Sequence, residues 1–204
     1  MVNTEKRARG RPPGTTKGSQ VRYLTEQELS AFFKIAKRSK RDSLLFNLIL
    51  FFGLRSREAA ELKLSDFNLQ DLKVTIAAVK NGLTREYLEV PDEIWRKLRE
   101  YLKIRKAHPM NPYLFPSRHL TRGHMTPIGV QASFKRVCRK AGLVGHSVHD
   151  LRHTKGRELA MLNYSAYKIA RFLRQRDSTS ANKYVDLRED KETDATICSK
   201  ARVY

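Results

Sequence analysis

Apolar residues recur at helical spacing along most of the chain, and the first such pattern begins near Tyr23. Thr25 is followed three residues later by Glu28, which is typical of a capping box, where each side chain accepts a hydrogen bond from the other residue's backbone N–H. The apolar positions that continue the pattern are Leu29, Phe32, Phe33 and Ile35 or Ala36. The spacing predicts a first helix that starts after Thr25.

The same periodicity, bounded by glycine and proline, predicts six further helices. They are expected over about residues 42–52, 57–64, 91–106, 126–141 and 148–162, and from Ser165 to about Leu173. Gly53 breaks the chain after the second predicted helix, because glycine readily adopts the left-handed conformation that ends helices. Arg55 follows directly after this break.

Residues 72–90 have a different character, because β-forming side chains lie on both sides of a turn sequence. Asn81-Gly82 is a dipeptide typical of two-residue hairpin turns. The β-forming residues around it are Val74, Ile76 and Val79, then Tyr87, Leu88 and Val90. The pattern predicts a β-hairpin, and residues 113–115 are a candidate for one more short strand. The expected fold class is mainly α with a small antiparallel β-sheet, without an internal repeat.

Length and charge indicate one domain that binds a polyanion. The chain has 204 residues, with 41 Lys and Arg against 21 Asp and Glu, so the formal net charge is +20. Hydrophobic residues still make up 40% of the chain, so we expect a folded core beneath a basic surface. We divide the chain into a basic mobile tail (1–22), one domain (23–186) and a C-terminal segment (187–204).

The sequence disfavours a membrane-spanning protein and a disulfide-stabilised protein. The apolar run 44–54 is too short for a bilayer, which takes roughly 20 residues, and the N-terminus lacks the apolar segment of a secretory signal. Cys138 and Cys198 are too few for a disulfide framework and lack the paired spacing of a zinc site. We therefore expect a cytoplasmic protein with reduced thiols and no bound metal.

Three groups of residues are candidates for chemistry. The turn at residues 53–58 holds Arg55 between two apolar helices, and His149 and Arg152 lie three residues apart, on one face of a predicted helix. Tyr184 follows Gln175 by nine residues. A single residue of these types is more often a surface charge or a packing side chain, so only the whole set points to a function. We interpret other tyrosines and histidines as packing residues (Tyr101, Tyr164, Tyr167) and as surface or phosphate-contacting residues (His108, His119, His124, His146).

This set resembles the catalytic domain of the tyrosine recombinases, the phage integrase family, from about Tyr23 to Val185. The family's G-x-R-x-x-E turn is matched by Gly53, Arg55 and Glu58, and its H-x-x-R box by His149 and Arg152 with a trailing His153. Tyr184 matches the family's nucleophile. The family's hairpin lysine is matched by Lys80, beside Asn81-Gly82, with Lys73 as a weaker candidate.

The resemblance implies a tyrosine recombinase catalytic fold and a cofactor-free cleavage of DNA. Arg55 and Arg152 would bind the phosphate oxygens, and Tyr184 would form a 3′-phosphotyrosyl bond. His149 would accept or relay a proton, and Lys80 would protonate the leaving 5′ oxygen. Packing or surface roles remain the alternatives for Tyr184, His149 and Lys80, while Glu58 is expected to orient Arg55 or its helix rather than to act in acid–base chemistry.

One tripeptide departs from the family pattern. Where the family usually has Leu-Gly-His, or Trp in place of His, this chain has Leu173, Arg174 and Gln175. Gln175 can donate a hydrogen bond to a phosphate oxygen but carries neither proton nor charge in the reaction. A slower, specially regulated or inactive enzyme is therefore an open alternative.

DNA contacts are also expected from the basic face of the catalytic domain and from the tail. Residues 9–13 resemble the Arg-Gly-Arg-Pro core of an AT-hook, and a nonspecific electrostatic arm is the alternative. The predicted DNA-binding residues are Arg7, Arg9, Arg11, Arg57 and His153. Affinity from such contacts falls steeply with salt.

The expected function is that of a minimal, single-domain site-specific recombinase of the integrase or invertase type. Its expected partners are double-stranded DNA, further copies of the chain (a dimer on one site and a tetramer in the synaptic complex) and DNA-bending accessory proteins. Residues 187–204 are expected to pack on a neighbouring protomer. Two alternatives stay open: a noncatalytic DNA-binding or architectural protein, and a type IB topoisomerase-like enzyme that nicks and reseals one strand.

Overall fold

Helices dominate the structure, a computed structural model that describes residues 21–77, 84–87, 90–117 and 123–189. The described helices are α1 (Glu26–Ala36), α2 (Lys40–Phe52), α3 (Ser56–Glu61), α4 (Asp92–Leu102), α5 (Pro127–Ala141), α6 (Val148–Met161), α7 (Ala166–Phe172) and α8 (Thr179–Glu189). Three short strands, β1 (Phe67–Asn68), β2 (Lys73–Ala77) and β3 (Thr84–Tyr87), form one antiparallel sheet in the order β1-β2-β3. The expected mainly helical fold with a small sheet is confirmed.

Helix α1 begins with the predicted capping box. The hydroxyl of Thr25 accepts a hydrogen bond from the Glu28 backbone N–H at 3.3 Å, and the Glu28 carboxylate accepts one from the Thr25 N–H at 2.8 Å. The helix buries Phe32, whose ring packs against Phe46 of α2 and Phe134 of α5 at centroid separations of 5.1 and 4.9 Å. The capping box thus sets where α1 begins, and the burial of Phe32 sets which face of α1 packs on the core.

Helix α2 starts two residues earlier than predicted, because the side chain of Ser39 caps it by accepting from the Asp42 backbone N–H. It ends at Gly53, whose φ of 58° is the left-handed conformation expected there. A Cβ at this position would lie 2.3 Å from a methyl carbon of Leu173. Glycine therefore lets the turn before Arg55 approach the end of α7.

Helix α3 is shorter than the predicted 57–64 and ends at Glu61. The chain leaves the helix at Leu62 because its carbonyl accepts from the Leu114 N–H, while the Leu64 N–H donates to the Pro112 carbonyl. Long-range backbone pairing therefore replaces the last helical turn. The strand considered at 113–115 is limited to an isolated bridge between Lys63 and Tyr113.

The β-hairpin is confirmed by the antiparallel pairing of β2 with β3. Val74 lies opposite Tyr87 and Ile76 opposite Arg85, and the three apolar members of these pairs are buried. The turn itself, residues 78–83, lies outside the described residues. Helix α4 follows the sheet but stops at Leu102, four residues before its predicted end.

The described side chains form two buried clusters. The larger, which we call the main core, joins α1 to α5 and the sheet and extends to Leu151 of α6. The smaller, which we call the α7–α8 cluster, consists of Leu159, Ala160, Ile169, Ala170, Leu173, Ala181 and Tyr184. Cys138 is buried in the main core as a free thiol, and no helix among the described residues is long and apolar enough to cross a bilayer.

Helix α8 was not predicted. Its sequence is mostly polar; among its described side chains, Ala181 and Tyr184 belong to the α7–α8 cluster and Val185 packs against it. The available signal was the run from Asp177 to Thr179, because such side chains often cap helix N-termini. The packing of α8 on α6 and α7 makes a weak pattern helical.

Candidate active site

Five of the six predicted catalytic residues line one open cavity of about 440 Å³. The lining residues are Arg55, His149, Arg152, Gln175, Arg176, Asp177, Ser180, Lys183 and Tyr184. They come from the start of α3, from α6, from the α7–α8 connection and from α8. Lys80, the sixth, lies outside the described residues, and Lys73 at the start of β2 is not part of this lining.

Arg55 is held in place by Glu58. The Arg55 guanidinium donates to Glu58 Oε1 at 2.6 Å, and the Arg55 backbone N–H donates to Oε2 at 3.0 Å. The Glu58 carboxylate is almost fully buried, whereas Arg55 remains partly open to the cavity. Glu58 therefore orients Arg55, as its position in the turn predicted.

Arg152 is buried, with 1% of its surface exposed. Its guanidinium donates to the carbonyl of Gly53 at 2.5 Å and to the carbonyl of Leu173 at 2.6 Å. These bonds use two of its five N–H donors, and the side chain still lines the cavity. Burial, followed by the charge of Arg55, lowers the Arg152 pKa to about 10, so Arg152 stays cationic at neutral pH.

Arg174 forms a buried ion cluster with Glu58 that sequence reasoning missed. Arg174 adopts a left-handed backbone with φ of 52°, and its side chain donates to Glu58 Oε2 at 2.9 Å. It also donates to the carbonyls of Phe52 and Gly53, each at 3.2 Å, and to the hydroxyl of Tyr87. The only sequence signal was an arginine where the family resemblance has glycine.

The cluster keeps Glu58 ionised in spite of its burial. Burial by itself raises the pKa of Glu58, but the charge of Arg174, the Arg55 N–H and the charge of Arg152 lower it further than burial raises it. The net pKa lies below the ordinary value for glutamate. One carboxylate thus serves as the shared counter-ion of Arg55 and Arg174, with Arg152 at 3.8 Å.

Tyr184 is almost fully buried, and its hydroxyl lies 2.8 Å from Nδ1 of His153. Its ring packs directly on the backbone of α6 at Gly156, where an added Cβ would lie 2.6 Å from the ring. Burial raises the pKa of Tyr184 to about 12, although the charges of Arg152 and Arg55 oppose this shift. Without DNA, the hydroxyl therefore keeps its proton at neutral pH.

His149 and His153 form an edge-on ring pair with centroids 4.5 Å apart. Burial, then the charges of His149, Lys183 and Arg152, lowers the pKa of His153 to about 3. The pKa of His149 is lowered to about 4, first by the atoms packed around it and then by Arg152 and Lys183. Because His149 is solvent-exposed, water screens its shift. Both rings are neutral at pH 7.

Gln175 lines the cavity, but its side-chain oxygen accepts no hydrogen bond from the described residues. Its backbone N–H donates to the Ala170 carbonyl at 2.8 Å, while its side-chain Oε1 is buried without a hydrogen-bond partner among the described residues. A phosphate oxygen needs a donor, so a role in phosphate binding requires the amide group to turn its nitrogen toward the cavity.

Lys183 is a cavity residue that sequence reasoning did not single out. Its ammonium lies 5.2 Å from the centre of the Tyr184 ring, and burial followed by the charge of Arg152 lowers its pKa. The available signal was its position directly before Tyr184. The described residues contain no group of three His, Cys, Asp or Glu side chains arranged to hold a metal ion.

The predicted DNA-binding residues fall in different places. His153 is partly buried, with its Nδ1 at 2.8 Å from the Tyr184 hydroxyl, and Arg57 is exposed in an ion pair with Glu61 at 2.8 Å. Arg7, Arg9 and Arg11, together with the rest of the tail, lie outside the described residues, as do residues 190–204.

Three minor interpretations were wrong. His146 is not a surface residue, because it is largely buried between Glu28 at 3.1 Å and Asp150 at 3.2 Å, where it ties α1 to the start of α6. Tyr164 and Tyr167 are exposed rather than packed. Tyr101 is buried, as predicted.

The comparison with known protein families decides the classification. The model of the family described as "Phage integrase family" matches residues 22–191. The chain belongs to this family. The phage integrase fold therefore accounts for nearly all of the described residues, including both buried clusters.

Two curated relatives differ in sequence identity to this chain and in how much of their own length it covers. The tyrosine recombinase XerA of Pyrococcus furiosus is 32% identical over 133 residues, which are 64% of this chain and 45% of XerA. The type 1 fimbriae regulatory protein FimB of Escherichia coli K12 is 26% identical over 164 residues, 76% of this chain and 79% of FimB. The chain thus spans about half the length of the XerA relative.

Solved structures show the same fold. The XerH site-specific recombinase, in a post-cleavage complex with a palindromic difH substrate, matches with a TM-score of 0.74 and 24% identity over 89% of this chain and 54% of XerH. The XerA recombinase crystal structure matches with a TM-score of 0.71 and 22% identity over 89% of this chain and 66% of XerA. Both similarities place the chain on the phage integrase fold.

The two neutral histidines predict a loss of stability on acidification. Their pKa values are lowered in the folded protein, so between pH 6.5 and 4 the unfolded chain binds more protons and the free energy of unfolding falls as pH falls. We expect a loss of about 2 kcal/mol between pH 7.5 and 5, after allowance for the exposure of His149. Urea denaturation of the parent and of a His149→Gln/His153→Gln variant measures it. Equal pH slopes for the two proteins would contradict the prediction.

Proposed function

We propose that this protein is a site-specific DNA recombinase that cleaves and rejoins DNA through a 3′-phosphotyrosyl intermediate at Tyr184. The observation that carries the proposal is the convergence of Arg55, Arg152 and Tyr184 on one cavity, with the tyrosine hydroxyl bonded to an imidazole. Family membership supports the same reaction class. The catalytic unit proposed here is residues 23–186.

The cavity supplies the electrostatic part of phosphoryl transfer. Two guanidiniums can form charge-assisted, forked hydrogen bonds with the non-bridging oxygens of a phosphodiester, and they stabilise the charge that grows there in the transition state. Arg55 is oriented by Glu58, and Arg152 by the carbonyls of Gly53 and Leu173. Because these contacts exist before substrate arrives, little reorganisation is needed during the reaction.

The bond changes are a displacement at phosphorus. The Tyr184 oxygen passes its proton to a histidine imidazole and attacks the scissile phosphorus, and the P–O5′ bond breaks with its electron pair on O5′. We assign the proton that O5′ then needs to Lys80. His149, at the exposed side of the cavity, and Gln175 are proposed to contact the phosphate. Attack by another 5′ hydroxyl on the phosphotyrosyl bond reverses these steps and seals a new strand.

The substrate and partners follow from charge and family. The net charge of +20 favours double-stranded DNA, and we propose that Arg57 and the basic tail with Arg7, Arg9 and Arg11 add backbone or minor-groove contacts. Strand exchange between two sites takes four protomers, so we propose a dimer on each site and a tetramer at synapsis, with accessory bending proteins. We propose that the protein acts in the cytoplasm, on nucleoid DNA.

Covalent trapping tests this function. The protein is incubated with nicked suicide substrates that span the ends of the DNA element carrying its gene, and adducts are separated in SDS. We expect an SDS-resistant adduct whose peptide map places the nucleotide on Tyr184. DNA binding without an adduct on these substrates, or an adduct on the exposed Tyr164 or Tyr167, would overturn the proposal.

A further inference from the structure

The residue that contacts the hydroxyl of Tyr184 is His153, one helical turn beyond His149. Nδ1 of His153 lies 2.8 Å from the Tyr184 oxygen, which is hydrogen-bond distance for an O–H donor and an imidazole acceptor. The two rings are tilted, with centroids 5.7 Å apart, so the contact is made at the edge of the imidazole. His149 is instead exposed, and its ring packs edge-to-face with the His153 ring at a centroid separation of 4.5 Å.

We propose that His153 is a catalytic residue, the proton acceptor for the Tyr184 hydroxyl during DNA cleavage. This inference rests on the proposed function and deepens it. His153 was predicted only as a DNA contact, and His149 as the acceptor. The geometry reverses these roles, because general-base chemistry needs the base within hydrogen-bond reach of the proton that it removes.

The hydroxyl proton of Tyr184 moves to Nδ1 of His153 while the tyrosine oxygen forms its bond to phosphorus and the P–O5′ bond breaks. His153, which carries a proton on Nε2 at the start, becomes an imidazolium. In the resealing step the P–O bond to Tyr184 breaks, and His153 returns the proton to the tyrosine oxygen.

The surroundings of His153 make this step dependent on substrate. In the free protein the imidazolium is disfavoured by burial and by three neighbours: His149, Lys183 and Arg152. A neutral imidazole is the form that can accept, so Nδ1 of His153 is free to take up a second proton while Nε2 keeps the first. A scissile phosphate on Arg55 and Arg152 brings a negative charge into the cavity, and that charge offsets the positive charges of Lys183 and Arg152, which oppose proton uptake. Proton transfer is thereby favoured when DNA is bound.

Local packing fixes the pair in this geometry. Both residues lie where α6 meets α8, and Gly156, three residues after His153, allows the Tyr184 ring to rest against the α6 backbone. A larger residue at 156 would push the ring away. The hydrogen bond is therefore set by helix packing rather than by two free side chains.

The test varies the acidity of the nucleophile. Asparagine at 153 retains an acceptor atom but cannot take up a proton, so His153→Asn should slow adduct formation about 10²- to 10⁴-fold, the usual range for loss of a general base. Incorporation of 3,5-difluorotyrosine at 184, a more acidic phenol, should restore at least about tenfold of that loss in His153→Asn and change the parent little. A residue that only stabilises the fold would not respond to phenol acidity.

His149→Asn with the same two tyrosines is the matched control, and it should show no selective recovery because a phosphate contact does not depend on phenol acidity. His153→Asn reacting at the parent rate, or recovering no more than His149→Asn, would overturn the inference. If the parent itself forms no adduct, the proposed function fails instead. Nitrogen-15 NMR of the parent supplies a readout that needs no variant at 153: an Nε2–H tautomer of His153 is required, and an Nδ1–H tautomer contradicts the proposal.

Discussion

Replacing Tyr184 by phenylalanine should abolish the covalent DNA adduct and leave the fold and DNA binding intact. The hydroxyl is the group proposed to attack phosphorus, so its removal should bring adduct formation below detection rather than slow it. The ring remains, and it supplies the packing against Gly156 and the α7–α8 cluster. Only the hydrogen bond to His153 is lost, at a cost of about 1 kcal/mol.

This variant separates the nucleophile from a packing tyrosine, which is the alternative role for a buried Tyr184. The measurements are an adduct assay in SDS, an electrophoretic binding assay and a urea denaturation curve. Tyr167→Phe is the matched control, since Tyr167 is exposed on α7 and its loss should leave all three unchanged. An adduct formed by Tyr184→Phe at the parent rate would refute the assignment.

Replacing Arg174 by methionine should lower the free energy of unfolding by about 3–5 kcal/mol, the usual cost of removing one partner from a buried ion pair. Methionine fills much of the volume, but it leaves Glu58 Oε2 and the carbonyls of Phe52 and Gly53 without this donor. Arg152, at 3.8 Å from Glu58, would be drawn to the vacated oxygen and away from its place in the cavity. Adduct formation should therefore fall together with stability.

Two further variants serve as comparisons for the loss of stability in Arg174→Met. Arg174→Gly also removes the donors and relieves the left-handed backbone, worth about 1 kcal/mol, but it leaves the buried side-chain volume empty, so we expect it to be no more stable than Arg174→Met. Arg171→Met, an exposed position on the preceding turn, should change stability by less than about 0.5 kcal/mol. Urea midpoints measure all three. Equal free energies of unfolding for Arg174→Met and the parent would contradict the predicted contribution of the Arg174–Glu58 ion cluster to stability.

The elements with strong local signals were predictable from the sequence. The capping box at Thr25 and the left-handed Gly53 act within a few residues of chain, and the structure shows both. The short α3 was not predictable in its length, because its end depends on backbone pairing with residues 112–114, some fifty positions away in the sequence. Helix α8 was missed because its polar sequence becomes helical through packing.

The candidate site divides in the same way. Arg55, Arg152 and Tyr184 could be selected from order and spacing, since these persist in a linear motif. Which histidine contacts the tyrosine could not, because His149 and His153 are one turn apart on α6 and only the placement of α8 distinguishes them. The role of Arg174 was hidden for a related reason: its partner Glu58 is 116 positions away.

The division of the buried side chains into a main core and an α7–α8 cluster has a consequence for motion. Arg55 precedes a helix of the main core, whereas Tyr184 belongs to a cluster of seven buried residues, most of them small or aliphatic. The free energy needed to open a region locally depends on the apolar contacts that the region itself contributes. Amide protons of α8 can therefore exchange with solvent through local opening events that leave the protons of α2 protected. We therefore expect Arg55 and the proposed nucleophile, Tyr184, to belong to separate units of cooperative unfolding, joined by hydrogen bonds such as that from Arg152 on α6 to the Leu173 carbonyl.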